Sequence, residues 1–499
     1  MGRLGSPKRG RRAGSTAGKS FTDTSDDAHG VFVAVHRTAE QPGIRVPSGA
    51  RLTVAGGQVI AAGGDNAPGI GEHMPGQAPG QIVVTAGGVT ATGGVSAAGI
   101  GGGDATVGAD VTIEQGTVTA TGGWRGAGIG GGHLAAGGTT VITDGTVIAQ
   151  AGDEAAAIGG GYGGDGGHTT IKGGRVEATG PAERGAGIGG GYGGDGGTTI
   201  IEGGNVTARA GEDAAGIGSG DGGSTGGVIT ISGGVVDARA TDDAAGIGGG
   251  DGGQGGTITI TGGHVTARGA ELGAGIGGGD YGASGTITIT DATVEAYGGR
   301  GAAGIGGGSG GSAQSITITG GTVEAYGGDY AAAIGGGSGG AGGTVSITNA
   351  TVTADAGPGG PAIGPGCAGT TTGPITVGQG AEVTVSNTGA DPCPTVGVLV
   401  LPDDARPGLT VAGTLRLAGG GAVHVPGSPA DTEPSVRVTS TGLVTGATGT
   451  PTAGPGFGGD GWIRNDGIIA FDASVVDVDV RHQNFLLTFE PAAAPAFGI

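Results

Sequence analysis

Two columns of residues recur at a fixed spacing and carry whatever chemistry this chain performs. Arg209, Arg239, Arg268, Tyr297 and Tyr326 follow one another at intervals of 29 or 30 residues, with Glu295 and Glu324 two positions before the tyrosines. Guanidinium forks and phenol rings repeated in this way can stack on a chain of sugars and hydrogen-bond to it. The alternative is an ordinary solvated strand surface, where Tyr and Arg are also common. The second column is acidic: Asp153, Glu183, Glu212, Asp242 and Glu271, at the same intervals. Stacked carboxylates repel one another unless cations or solvent intervene, so calcium bridging and a solvated acidic edge are its two readings.

A repeat must position such columns. The isoleucine of a short Ile-Gly motif occurs at Ile70, Ile100, Ile129, Ile158, Ile188, Ile217, Ile247, Ile276, Ile305, Ile334 and Ile363, always 29 or 30 residues after the last. One unit reads AAGIGGGDGGQGGTITITGGHVTARGAELG from Ala244 to Gly273, three short extended pieces separated by glycine turns. In the second piece Ile258 and Ile260 alternate with Thr257, Thr259 and Thr261; in the third Val265 and Ala267 alternate with Thr266 and Arg268. That is the period of a strand with one buried and one solvated face. No single unit could bury its few apolar groups alone, whereas stacking at about 4.8 Å buries them and pairs the backbone. The reading is all-β: a single-stranded parallel β-solenoid, a β-helix of the pectate-lyase-like type, with about eleven coils of 29–30 residues and an irregular β C-terminal region.

Composition agrees with a thin core. Glycine supplies 133 of 499 residues and aromatics only 3%, so large side chains cannot fill a compact interior. Disorder, the other reading of so much glycine, would lack an in-register Ile/Val pattern of this length. The expected organisation is a disordered basic tail over 1–29, N-terminal cap strands over 30–65, the repeat solenoid over 66–375, and a degenerate solenoid with a β cap over 376–499. Arg3, Lys8, Arg9, Arg11, Arg12 and Lys19 make the tail basic, and no apolar segment follows them to form a secretory signal.

A formal net charge of −21 disfavours nucleic acid and anionic membranes as partners. No run of eighteen apolar residues exists to span a bilayer. The two cysteines, Cys367 and Cys393, stand nearly one coil apart, and a disulfide and two free thiols both remain open. Corner aspartates such as Asp104, Asp221, Asp251 and Asp280 read as turn formers. The stretch GGYGGD at 160–165 matches the start of a calcium-binding nonapeptide, but Gly167 stands where that repeat needs a large apolar residue.

Units such as TITITGGHVTARGAELGAGIGGG and SITITGGTVEAYGGDYAAAIGGG resemble the repeats of bacterial carbohydrate-binding β-helix proteins and of glycine-rich bacterial surface proteins, over about residues 50–370. The resemblance implies an extracellular or cell-surface solenoid without catalytic activity, binding polysaccharide or cell-wall glycan or serving in adhesion. A polysaccharide lyase or glycoside hydrolase on the same scaffold is the alternative; it needs an acid/base pair in one groove, and the acidic residues here are spread along the repeat. A ligand-free structural stalk is the third possibility.

Overall fold

The computed structural model describes residues 21–23, 30–35, 40–180, 183–370, 373–387, 399–400, 409–418, 422–424, 436–441, 443–446, 456–465, 468–470 and 476–481. They fall into two compact units, Met1–Gly211 and Glu212–Ile499. Each unit is a parallel β-solenoid, and no helix occurs among the described residues. Most of the tail expected over 1–29 lies outside them.

A coil of the second unit shows how the sequence builds the fold. Its three strands are Ile276–Gly277, Thr286–Thr290 and Thr293–Tyr297. Each pairs in parallel with its equivalent one coil on: Ile276 with Ile305, Ile287 with Ile316, and Val294 with Val323. Ile276, Ile287, Ile289, Val294 and Ala296 are fully buried, while the threonines between them point to solvent. β-branched residues therefore sit where a pleated, half-buried surface favours them. Identical side chains stack on one another, so the core is a set of Ile, Val and Ala columns.

The glycine of the short first strand is obligatory. Gly277 has φ +138°, a conformation L residues rarely adopt, and a Cβ there would collide with the carbonyl oxygen of Gly306 in the next coil. The same pairing recurs from Gly101 to Gly130 in the first unit.

The solenoid extends beyond the motif isoleucines at both ends, so its coils outnumber the eleven expected. In the first unit Ile44–Arg45 pairs with Ile70–Glu72, and the 12-residue strand Arg51–Ala62 pairs with Gln81–Thr92. The segment expected as a cap thus shares the parallel register of the coils that follow it. In the second unit Ile363 pairs with Leu399, Ile375 with Leu409 and Val383 with Leu415. Leu409, Leu415 and Leu417 are fully buried, so larger side chains fill the core where glycine becomes sparse.

One coil of the first unit keeps this glycine, Gly71, but carries a charge at the next position. Glu72 stands opposite Gly102 and is fully buried. Arg45 in the preceding coil donates from Nε to both its carboxylate oxygens at 3.1 Å, and the His73 and Met74 N–H groups donate to Oε1 at 2.9 and 3.2 Å. The buried charge is therefore paired and its lone pairs engaged. Cys367 is disulfide-bonded; Cys393 lies outside the described residues.

Candidate functional site

In the second unit the Arg/Tyr column forms on the third strand of successive coils. Arg239 is in register with Arg268, Arg268 with Tyr297, and Tyr297 with Tyr326. All point outward because each directly follows a buried alanine in a strand of period two. Arg209 occupies the equivalent place in the first unit, at the exposed end of the strand Asn205–Arg209.

Parallel register brings the two tyrosine rings into a stack, 4.7 Å between centroids and 7° between planes. The Arg268 guanidinium covers the other face of Tyr297, 4.0 Å from its centroid. Glu295 and Glu324 are in register, and each accepts a hydrogen bond from the tyrosine hydroxyl of its own strand: Tyr297 to Glu295 at 3.1 Å, Tyr326 to Glu324 at 2.8 Å. His264 Nε2 lies 3.9 Å from Glu295, and Arg239 grips both Asp237 oxygens at 2.9 and 3.0 Å.

These contacts set the protonation of the column. The hydrogen bond to Glu324, reinforced by burial, pushes the Tyr326 phenol up to about 12. Burial first, then Glu295, raises Tyr297 as well. Both faces of Tyr297 are covered, one by Tyr326 and one by Arg268. The column instead offers ring edges and carboxylates: each Glu accepts one hydroxyl and keeps lone pairs for further donors.

The acidic column lies exposed at coil corners, with Asp153 and Glu183 in the first unit and Glu212, Asp242 and Glu271 in the second. Asp242 has a left-handed φ of 53°, as does Asp213 at 55°, so both shape turns. The more shielded carboxylates are their neighbours. Burial, then repulsion from Asp280, Asp213, Asp251 and Glu271, raises Asp243 to about 6. Asp251 and Asp280 are raised too, mainly by burial. Among the described residues no group of three or more His, Cys, Asp or Glu side chains is set to hold a metal ion.

A second cluster, in the first unit, escapes a reading based on the acidic and Arg/Tyr columns. Four residues after the motif isoleucine, where Asp251 and Asp280 stand in the second unit, the first carries Asp104, His133, Tyr162 and Tyr192. Asp104 holds His133 Nδ1 at 2.8 Å. The rings of His133 and Tyr162 lie 5.3 Å apart, as do those of Tyr162 and Tyr192. Facing them, the Arg125 guanidinium sits 4.7 Å from the Trp124 ring and 5.0 Å from that of Tyr162, and its Nε donates to Glu154 at 3.1 Å. The substitution of His and Tyr along a column of aspartates was the available signal.

A family model described as a beta helix repeat matches residues 111–133, 141–162, 170–192, 200–221, 229–251, 258–280, 287–309 and 316–338. Each match runs from the second strand of one coil to the corner after the next motif isoleucine. No curated protein and no solved structure matches the chain.

Proposed function

We propose that this β-helix repeat protein is a non-catalytic carbohydrate-binding solenoid of the cell surface or extracellular space, acting in glycan recognition or adhesion. The observation that carries the reading is the Tyr297–Tyr326 stack with Glu295 and Glu324 locked to the phenols. It fixes acceptors on adjacent coils, at the interstrand spacing of about 4.8 Å, without the entropy cost of ordering loose side chains. Sugar hydroxyls can donate to the remaining carboxylate lone pairs, and Arg268 and Arg239 supply donors beside them. The disulfide at Cys367 supports an oxidising compartment.

The test is retention of the full chain on a panel of insoluble and immobilised neutral and acidic polysaccharides, with calcium and with a chelator. Retention is expected, and Tyr297→Ala with Tyr326→Ala should reduce it about tenfold or more. Loss of retention in chelator would bring calcium and the column of Asp153, Glu183, Glu212, Asp242 and Glu271 into the site. Absence of retention on every polysaccharide overturns the proposal in favour of a ligand-free stalk, and release of shortened products would replace it with the lyase or hydrolase reading.

A further inference from the structure

We propose a second saccharide site, on the first unit, in which Trp124 is the stacking platform and Tyr162 and Tyr192 are the hydrogen-bonding rungs, and whose ligand is a neutral, hydroxyl-rich glycan. It shares its ligand class with the reading above and rests on that reading for the class alone.

Aromatic residues make up only 3% of the chain, yet Trp124, Tyr162 and Tyr192 gather on one part of the first unit, joined through Arg125. Trp124 is 50% exposed. One face of its indole is held by Arg125, which fixes the ring, and half its surface remains open to a partner. An exposed, oriented indole is a large apolar surface that loses little conformational freedom on binding, which suits the C–H face of a pyranose ring. The same guanidinium reaches the Tyr162 ring, and Tyr162 leads on to Tyr192, so the platform and the rungs form one connected surface across three coils.

The polar groups define the ligand further. The Tyr162 and Tyr192 hydroxyls make no hydrogen bond within the described residues, in contrast to Tyr297 and Tyr326, whose hydroxyls are committed to Glu295 and Glu324. Arg125 and Glu154 form an ion pair with side chains 35% and 18% exposed, so donor and acceptor edges lie side by side with no net charge between them. Stacking surface, free hydroxyls and a neutralised pair match a sugar carrying alternating C–H faces and hydroxyl edges. Arg184 also sits 5.2 Å from the Tyr192 ring, but with Arg125 neutralised by Glu154 and the chain at −21 a polyanion is disfavoured.

The test uses tryptophan emission. The sequence has two tryptophans, Trp124 and Trp462, so Trp462→Phe in the full chain leaves Trp124 as the sole reporter. Titration with soluble cello-, xylo- and manno-oligosaccharides should give a saturable change in emission with at least one of them, and oligogalacturonate should give none. Tyr162→Phe with Tyr192→Phe removes only two hydroxyls and should weaken that binding about tenfold, with an unchanged circular dichroism spectrum. No change in emission with any neutral probe, alongside retention of the full chain on polysaccharide columns, overturns this site and leaves the second-unit ladder standing. Undiminished affinity in the double phenylalanine variant overturns the assignment of the rungs, and a response to oligogalacturonate alone overturns the neutral ligand.

Discussion

Tyr326 and Glu324, two residues apart on one strand, are joined by a 2.8 Å hydrogen bond that lifts the phenol to about 12. The carboxylate stabilises the protonated phenol and repels the phenolate. Glu324→Gln should therefore bring Tyr326 back toward the ordinary 10, which ultraviolet titration of the tyrosines would register. An unchanged titration curve would mean the pair does not form in solution.

Asp243 titrates at about 6 because burial and four neighbouring carboxylates oppose its ionisation. A carboxyl raised in the folded state binds more protons there than in the unfolded chain, so its penalty is absent below about pH 4 and complete above about pH 6. The second unit should lose stability as pH rises through that window, with Asp251 and Asp280 adding in the same direction. Asp243→Asn should raise the thermal midpoint at pH 7 and give no gain at pH 4; an equal gain at both would rule out charge as the cause.

Gly277→Ala adds one methyl and Ile276→Val removes one, at adjacent positions. The core truncation should cost about 1 kcal/mol. The glycine replacement forces a residue at φ +138° against the Gly306 carbonyl and should cost on the order of 3 kcal/mol or more. Denaturant unfolding monitored by circular dichroism separates the two; the reverse order would contradict the close coil approach.

Arg45→Ala would leave the buried Glu72 carboxylate without its cation, and should destabilise the first unit by on the order of 3 kcal/mol. Adding Glu72→Gly, which restores the residue found at the paired position Gly102, should recover most of that loss. A double variant no more stable than the single one would show that the ion pair is not what holds this coil.

The coil was legible because its signal is repeated: eleven isoleucines at near-constant spacing define the register that pairs Ile276 with Ile305. The Arg/Tyr column was legible for the same reason, since residues such as Tyr297 and Tyr326 inherit that register. What the rings do to each other was not, because stacking depends on side-chain rotamers that spacing leaves free. The Trp124–Tyr162–Tyr192 corner was hidden by its departure from the repeat. Its members come from two different corners of the coil, and only folding brings Arg125 between the rings of Trp124 and Tyr162. Likewise Asp243 looks like any acidic corner residue until Asp280 and Asp251 are placed around it.

The glycine carbonyl that blocks a Cβ at Gly277 belongs to a residue with the same conformation and the same neighbours one coil later. Removing or inserting one whole unit between Ile276 and Ile334 would therefore give every strand a chemically equivalent partner, whereas a single-residue change within a strand would turn its buried face outward. The coil is thus the natural quantum of variation in this molecule. A ladder such as Tyr297–Tyr326 can gain or lose a rung by duplication or deletion of a unit, tuning reach along a polymer without any new fold having to be found.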